Sequence, residues 1–170
     1  VQAAVLDLGT GTGAIALALA SERKQWRITA VDVQAPAVDL AERNRQRYQL
    51  DNVTVFYSNW FAEIPAQQFD LIVSNPPYLA QSEMAAISPE LALHEPAMAL
   101  TDGEDGLSVY RLIATRAQQY LTAQGRVLAE MGWQQGADVK AIFCDAGWAD
   151  VAVLPDLDGR DRVICVQNPA

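Results

Sequence analysis

The residues of this chain best suited to chemistry are Asn75-Pro76-Pro77-Tyr78, which follow an apolar run of strand length at residues 69–73. The two prolines fix φ and remove two backbone donors, so the corner is stiff. A planar amide or aromatic amine is a poor nucleophile because its lone pair is delocalised. The side-chain oxygen of Asn75 and the carbonyl of Pro76 can each accept a hydrogen bond from such an NH2 group. Together they would hold it while the nitrogen becomes tetrahedral and stabilise the positive charge that develops there. No strong base is required, because the proton can leave after the new bond has formed. Tyr78 can stack on the planar target. The plain alternative is a rigid proline turn with a capping asparagine.

A second constellation is Val5-Leu6-Asp7-Leu8-Gly9-Thr10-Gly11-Thr12-Gly13, placed where a strand turns into a helix. Glycines there let a ligand lie against bare backbone, and amides at the helix start face whatever binds. Asp32 closes the next strand about 20 residues on, where a carboxylate accepts hydrogen bonds from both hydroxyls of a ribose. Two nucleoside cofactors suit this arrangement. Gly9-x-Gly11-x-x-Ala14 satisfies the relaxed dinucleotide pattern, which keeps a nicotinamide enzyme open. Asp7 favours S-adenosylmethionine instead, since a carboxylate before the loop repels a pyrophosphate but suits a cationic amino-acid end. The proline corner also has no task in hydride transfer, whereas methyl transfer needs nucleophile, methyl carbon and sulfonium held nearly in line.

The elements that must position these groups alternate. Strand-length apolar runs at 3–8, 27–32, 53–57, 69–74 and 125–130 are interleaved with helix-period segments at 15–21, 36–48, 107–121 and 134–146. Two last strands, 151–154 and 162–166, have only a loop with Gly159 between them, which suits a hairpin. The expected fold is α/β: a Rossmann-like, seven-stranded, mostly parallel sheet with an antiparallel edge strand and helices on both faces. Ligands in such sheets bind beyond the carboxyl ends of the strands, which puts the glycine loop and the proline corner at one edge. The irregular stretch from 76 to about 105 is longer than a connection needs, and loops of that length are usually functional.

Bulk properties narrow the classes. The chain has 170 residues, 51% hydrophobic and 19% charged, enough for one domain with a full core. No apolar run reaches the roughly 18–20 residues that cross a bilayer, and no export signal is visible, so the expected location is cytoplasmic. Acidic residues outnumber basic ones 21 to 12, for a formal charge of −9. A domain that grips phosphates usually has the opposite balance, so stable nucleic-acid binding is not expected. Cys144 and Cys165 lack metal-type spacing and read as buried free thiols; no metal site is expected. Trp26, Trp133 and Trp148 read as packing or edge residues, while Asp102, Glu104 and Asp105 form either a solvated turn or a surface for a basic partner. Val1 to Leu8 already reads as a core strand, which implies a preceding segment.

Taken together, Asp7 to Gly13, Asp32, Asn75-Pro76-Pro77-Tyr78, Glu95-Pro96, Gly103-x-x-Gly106-Leu107 and Glu130-Met131-Gly132-Trp133-Gln134-Gln135-Gly136 resemble the HemK/PrmC protein-glutamine methyltransferases, across essentially the whole chain. That resemblance implies methylation of the side-chain amide of the glutamine in the Gly-Gly-Gln motif of class I peptide-chain release factors, with S-adenosylhomocysteine as product. It implies that residues 1–170 are the catalytic domain and that the family's helical N-terminal docking domain is not part of this chain. By position, Asp7, Gly9, Thr10, Gly11, Thr12, Gly13 and Asp32 would hold the methionine and ribose portions of the cofactor. Asn59 and Trp60 would meet its adenine, and Asn75 would face cofactor and substrate. Asn75 and Pro76 would act on the glutamine that Asn75 to Tyr78 grip. Asn59 stands where many relatives have aspartate, which implies weaker adenine recognition; His94 receives no catalytic role, and Glu95 could shape the substrate pocket. The rival activity that uses the same corner is methylation of an exocyclic base nitrogen in DNA or RNA.

Overall fold

The computed structural model describes residues 2–88 and 96–169. His94 and Glu95 lie outside the described residues. In chain order the elements are β1 (Ala4–Leu8), α1 (Ala14–Glu22), β2 (Arg27–Asp32), α2 (Ala35–Arg47), β3 (Val53–Tyr57) and β4 (Phe69–Ser74). A 3-10 turn (Gln81–Ala86) and a single-turn helix α3 (Ala97–Leu100) follow. Then come α4 (Ser108–Arg116), a second 3-10 turn (Ala117–Tyr120), β5 (Leu121–Glu130), α5 (Gly136–Asp145), β6 (Ala149–Pro155) and β7 (Asp161–Gln167).

The strands form one seven-stranded sheet in the order β3-β2-β1-β4-β5-β7-β6. β1 to β5 pair in parallel. The antiparallel pairing at one end comes from β7, which runs between β5 and the edge strand β6 and opposes both. Strand order reverses between β1 and β4, so the crevice above that junction is the natural ligand site of the fold.

Alternation along each strand divides the core between two faces. On one face Leu6, Leu8, Ile72, Val127 and Ala129 pack with Tyr110 and Ile113 of α4 and Val139 and Phe143 of α5. On the other, Val5, Ile28, Ala30 and Val73 pack against Ala16, Leu17 and Ala20 of α1. Each large side chain buried in this way contributes roughly 1.5–3 kcal/mol, which sets the register of the strands. Helix α1 is short and rich in alanine, which lets it lie close to the sheet. Tyr110, fully buried, donates its hydroxyl to the Glu130 carbonyl at 2.7 Å and so ties α4 to the end of β5.

Two sequence expectations need correction, the boundary between α4 and β5 and the burial of the cysteines. The helix expected to run to 121 ends at Arg116, and β5 begins at Leu121 rather than at 125. Apolar Ala114, Ala117 and Leu121 keep facing the core because a 3-10 turn continues the same side of the helix, so periodicity alone hides the break. The Tyr120 ring there stacks on Phe61 at 5.0 Å. The cysteines are free but not buried: Cys144 is exposed and Cys165 half-buried. Phe143 points α5 inward, and the next residue faces outward about 100° around the helix. Of the tryptophans, Trp148 is buried with its indole N–H on the Ala114 carbonyl, Trp26 is half-buried, and Trp133 is exposed. Among the described residues no helix is long and apolar enough to cross a membrane, and no cluster of metal-ligating side chains occurs.

Candidate active site

The strand register assembles the site. Leu8 pairs with Val31 of β2 on one side and with Ser74 of β4 on the other. Gly9, Asp32 and Asn75 therefore leave the sheet at one level, side by side. The Ser74 hydroxyl donates to the Leu8 carbonyl at 2.8 Å, and the Thr10 N–H donates to the Val31 carbonyl at 2.9 Å, which locks both neighbours of the loop. β3 joins at Asp32 opposite Tyr57, so residues 58–63 turn over the same edge.

Asp32 is buried and organises the loop beneath it. Its Oδ2 accepts the Gly11 N–H and its Oδ1 accepts the Gln34 N–H, both at 2.9 Å. Each carboxylate oxygen retains capacity for a further donor such as a hydroxyl. Thr12 is exposed at the loop tip, where its carbonyl accepts from the Asn44 side chain at 2.9 Å. Gly13 begins α1 in a left-handed conformation, with Leu17 and Ala41 too close to admit a side chain freely. At Gly9 a Cβ would stand 3.6 Å from the Trp60 ring. The bare backbone of the loop thus runs beside a half-buried indole contributed by the turn after β3.

Asp7 is the costly member. It is 1% exposed on the apolar face that packs against α1. One oxygen, Oδ2, accepts the Thr10 hydroxyl at 2.7 Å and the Ala16 N–H at 3.2 Å. The other, Oδ1, is buried without a partner. Burial pushes the carboxyl up to about 6, against the hydrogen bonds from Thr10 and Ala16 and with the Asp32 charge adding a little. An orphaned buried acceptor is expensive, on the order of 1–3 kcal/mol, and marks a place where a donor belongs. Thr10 spends its hydroxyl on this carboxylate, so its part is to orient Asp7.

Asn75 is exposed and Pro76 is buried, as a side chain offered to the crevice from a fixed backbone requires. Tyr78 is half-buried against the core below α4. Burial, with the Glu130 charge second, holds its phenol above the ordinary value, so it remains a neutral ring. The corner is clamped from below by Gln135. Its amide nitrogen, Nε2, donates to the Tyr78 carbonyl at 2.8 Å and to the Gly106 carbonyl at 3.3 Å, while its Oε1 accepts the Gly132 N–H at 2.9 Å. Gly106 has φ +76, and a Cβ there would collide with the Tyr78 carbonyl oxygen. Asp102 stiffens the same loop by accepting from the N–H groups of Glu104, Gly106 and Ser108 and from the Ser108 hydroxyl at 2.6 Å. Burial alone would raise its carboxyl, but these hydrogen bonds outweigh it and hold it low.

Residues 1–131 match the family model for the methyltransferase small domain. The chain belongs to this family. It is 47% identical over 169 residues to a release factor glutamine methyltransferase of Cereibacter sphaeroides, covering 99% of this chain and 60% of that protein. A release factor glutamine methyltransferase of Salmonella typhimurium is 46% identical over 161 residues, covering 95% and 58%. The chain thus spans about six-tenths of the length of these curated relatives. The fold matches a methyltransferase from Pyrococcus furiosus with TM-score 0.75 at 18% identity, over 99% of this chain and 76% of that one. A SAM-dependent methyltransferase from Aquifex aeolicus matches with TM-score 0.68 at 18% identity, over 98% and 82%.

Within this methyltransferase small domain, the residues singled out by spacing or by the family resemblance fall into two groups. Asp7, Gly9, Gly11, Asp32, Trp60 and Asn75 meet at the carboxyl edge around the β1–β4 junction, with Pro76, Pro77 and Tyr78 forming the wall beyond. Asn59 is exposed, and its backbone N–H is held by the Glu63 carboxylate at 2.8 Å. Asp105 belongs to the surface, paired with Arg111 at 2.6 Å. Three contributors were invisible as such in the sequence. Ser58, 1% exposed, donates to the Trp60 carbonyl at 2.7 Å and sets the indole. Gln135 and Asp102 hold the corner from the far side of the sequence; Gln135 was visible only as a member of a family motif, and Asp102 only as part of an acidic turn.

The Gly106→Ala variant introduces both a left-handed strain and a collision with the corner, and should lose about 2–4 kcal/mol of unfolding free energy in urea titration. Between about pH 4 and pH 6 the folded ligand-free chain keeps a proton on Asp7 that the unfolded chain releases. Asp7 therefore lowers stability as pH rises through that window, by up to about 3 kcal/mol. Urea titrations across pH 4–7 should show Asp7→Asn free of this decline, and parallel curves for the two proteins would contradict it.

Proposed function

We propose that this chain transfers a methyl group from S-adenosylmethionine to the side-chain amide nitrogen of the glutamine in the Gly-Gly-Gln motif of class I peptide-chain release factors, releasing S-adenosylhomocysteine. Residues 1–170 act as the catalytic domain, and the reaction takes place in the cytoplasm. The observation that carries this reading is the orphaned, buried Oδ1 of Asp7 one strand away from Asn75, with the glycine loop between them. The names of the relatives supply the substrate class.

The residues present fit the cofactor. A carboxylate at Asp7 complements a cationic amino group, and its ionised form prevails above about pH 6. Asp32 has spare acceptor capacity for ribose hydroxyls, and Trp60 beside Gly9 offers a flat face for adenine; Asn59, the residue before it, brings an amide oxygen for the adenine amino group. When bound, S-adenosylmethionine supplies an electrophilic methyl carbon on a sulfonium.

The chain's own part is to present the amide. Asn75 Oδ1 and the Pro76 carbonyl accept the two N–H donors of the glutamine NH2, which turns its nitrogen lone pair toward the glycine loop. As charge develops on nitrogen the two acceptors strengthen their hold, a stabilisation gained mainly in the transition state. Pro76 and Pro77 keep the acceptors from relaxing away, and Tyr78 lies along the planar amide as a neutral ring. No side chain at the corner has to act as a base, because the methylated nitrogen is acidic enough to release its proton to water.

Tritiated-methyl transfer to a release factor, to total RNA and to DNA tests the reading. Label should appear in the release factor as one methyl on the Gly-Gly-Gln glutamine, and label confined to nucleic acid would overturn it. Replacing Asn75 by Ala should lower kcat by on the order of 10²–10³, and near-normal turnover would remove Asn75 from the reaction.

A further inference from the structure

Among the described residues, the carboxyl end of β5 carries an acidic side chain that neither the glycine loop nor the proline corner uses. Along β5, Val127 and Ala129 face α4 and α5, whereas Leu128 packs with the cluster under α1. Glu130, the last residue of β5, shares the parity of Leu128. By the same count Asp7, Asp32 and Asn75 follow Val5, Ala30 and Val73 onto that face. Ser74 pairs with Ala129, so Glu130 leaves the sheet beside Asn75, on the side away from the glycine loop.

The surroundings of Glu130 leave its carboxylate available. Its carbonyl is taken by the Tyr110 hydroxyl, but its side chain is only partly covered, accepts no hydrogen bond and enters no ion pair among the described residues. Its charge reaches Tyr78, the wall of the substrate corner. Arg162, which also acts on Tyr78, is engaged by the Met131 carbonyl at 3.2 Å and by Asp156 at 3.3 Å. Glu130 is thus an uncommitted acceptor beside the corner.

We propose that Glu130 is a specificity-determining residue that receives backbone N–H groups of the peptide flanking the target glutamine. The proposal rests on the glutamine-methylation reading above. With the β1–β2 side of Asn75 given to the cofactor, the peptide approaches over β5. A glycine-rich segment has no side chains to keep its N–H groups away from a carboxylate, which can only accept. The same negative charge repels a phosphate backbone, so one group favours peptide and disfavours nucleic acid.

Steady-state methylation of a Gly-Gly-Gln peptide by the 170-residue chain tests this, together with calorimetric binding of S-adenosylhomocysteine. Glu130→Ala should raise the peptide KM roughly tenfold to hundredfold, the worth of a hydrogen bond to a charged group. The loss should fall on KM rather than kcat, cofactor-product affinity should stay unchanged, and Glu130→Gln, a neutral acceptor of the same size, should recover part of it. An unmoved KM in both variants overturns the assignment, as does an equal loss of S-adenosylhomocysteine affinity. Failure of the unsubstituted chain to methylate the peptide overturns the glutamine reading and this one with it, which separates the two outcomes.

Discussion

Parallel pairing of β1 with β2 on one side and β4 on the other is the constraint on which the site depends. Because Leu8 is opposite both Val31 and Ser74, three chain segments distant in sequence emerge at one height. The glycine loop, Asp32 and Asn75 need no long side chains to meet; the hydrogen-bond ladder delivers them. That ladder is held in register by core packing, since a slip by one residue would turn Val5, Ile72 and their neighbours to the wrong face.

Against that well-satisfied frame, Asp7 is an exception. A carboxylate with one bonded and one orphaned oxygen sits where alternation calls for an apolar residue, and burial raises its proton affinity. A structural role alone would be filled at lower cost by an asparagine or an aliphatic side chain. The cost becomes intelligible if the missing donor is a ligand's cationic group. The proline corner is the reverse case: Gln135 satisfies the Tyr78 carbonyl and Asp102 the Gly106 N–H beside it, while the Asn75 side chain stays exposed at the crevice. Long-loop residues that look like a solvated acidic turn are therefore part of what keeps the corner rigid.

How much of this could be read in advance depended on whether the signal was local. β2, β3 and β4 have the expected bounds, because short apolar runs bracketed by polar residues are self-contained patterns. The placement of the glycine loop, Asp32 and Asn75-Pro76-Pro77-Tyr78 at one edge of the sheet was legible for the same reason, since each follows a strand marked by its own local pattern. The boundary between α4 and β5 was not, since Ala117 and Leu121 satisfy helical spacing while the backbone is already turning. Ser58 and Gln135 were hidden because their roles are hydrogen bonds to carbonyls that only the folded chain brings near, at separations of two residues for Ser58 and 57 for Gln135 to Tyr78. The exposure of Cys144 was missed because apolar neighbours in sequence lie on a different side of α5.

In the function we propose, the register of β1, β2 and β4 brings a cofactor loop and an amide-holding corner together for methyl transfer to glutamine. The most direct measurement is a crystal structure of the chain with S-adenosylhomocysteine and a Gly-Gly-Gln peptide. The account predicts the glutamine side-chain nitrogen within about 3 Å of Asn75 Oδ1 and of the Pro76 carbonyl, facing the ligand's sulfur across the glycine loop. A glutamine amide bound away from Asn75, or a ligand sulfur on the far side of the corner, would contradict it.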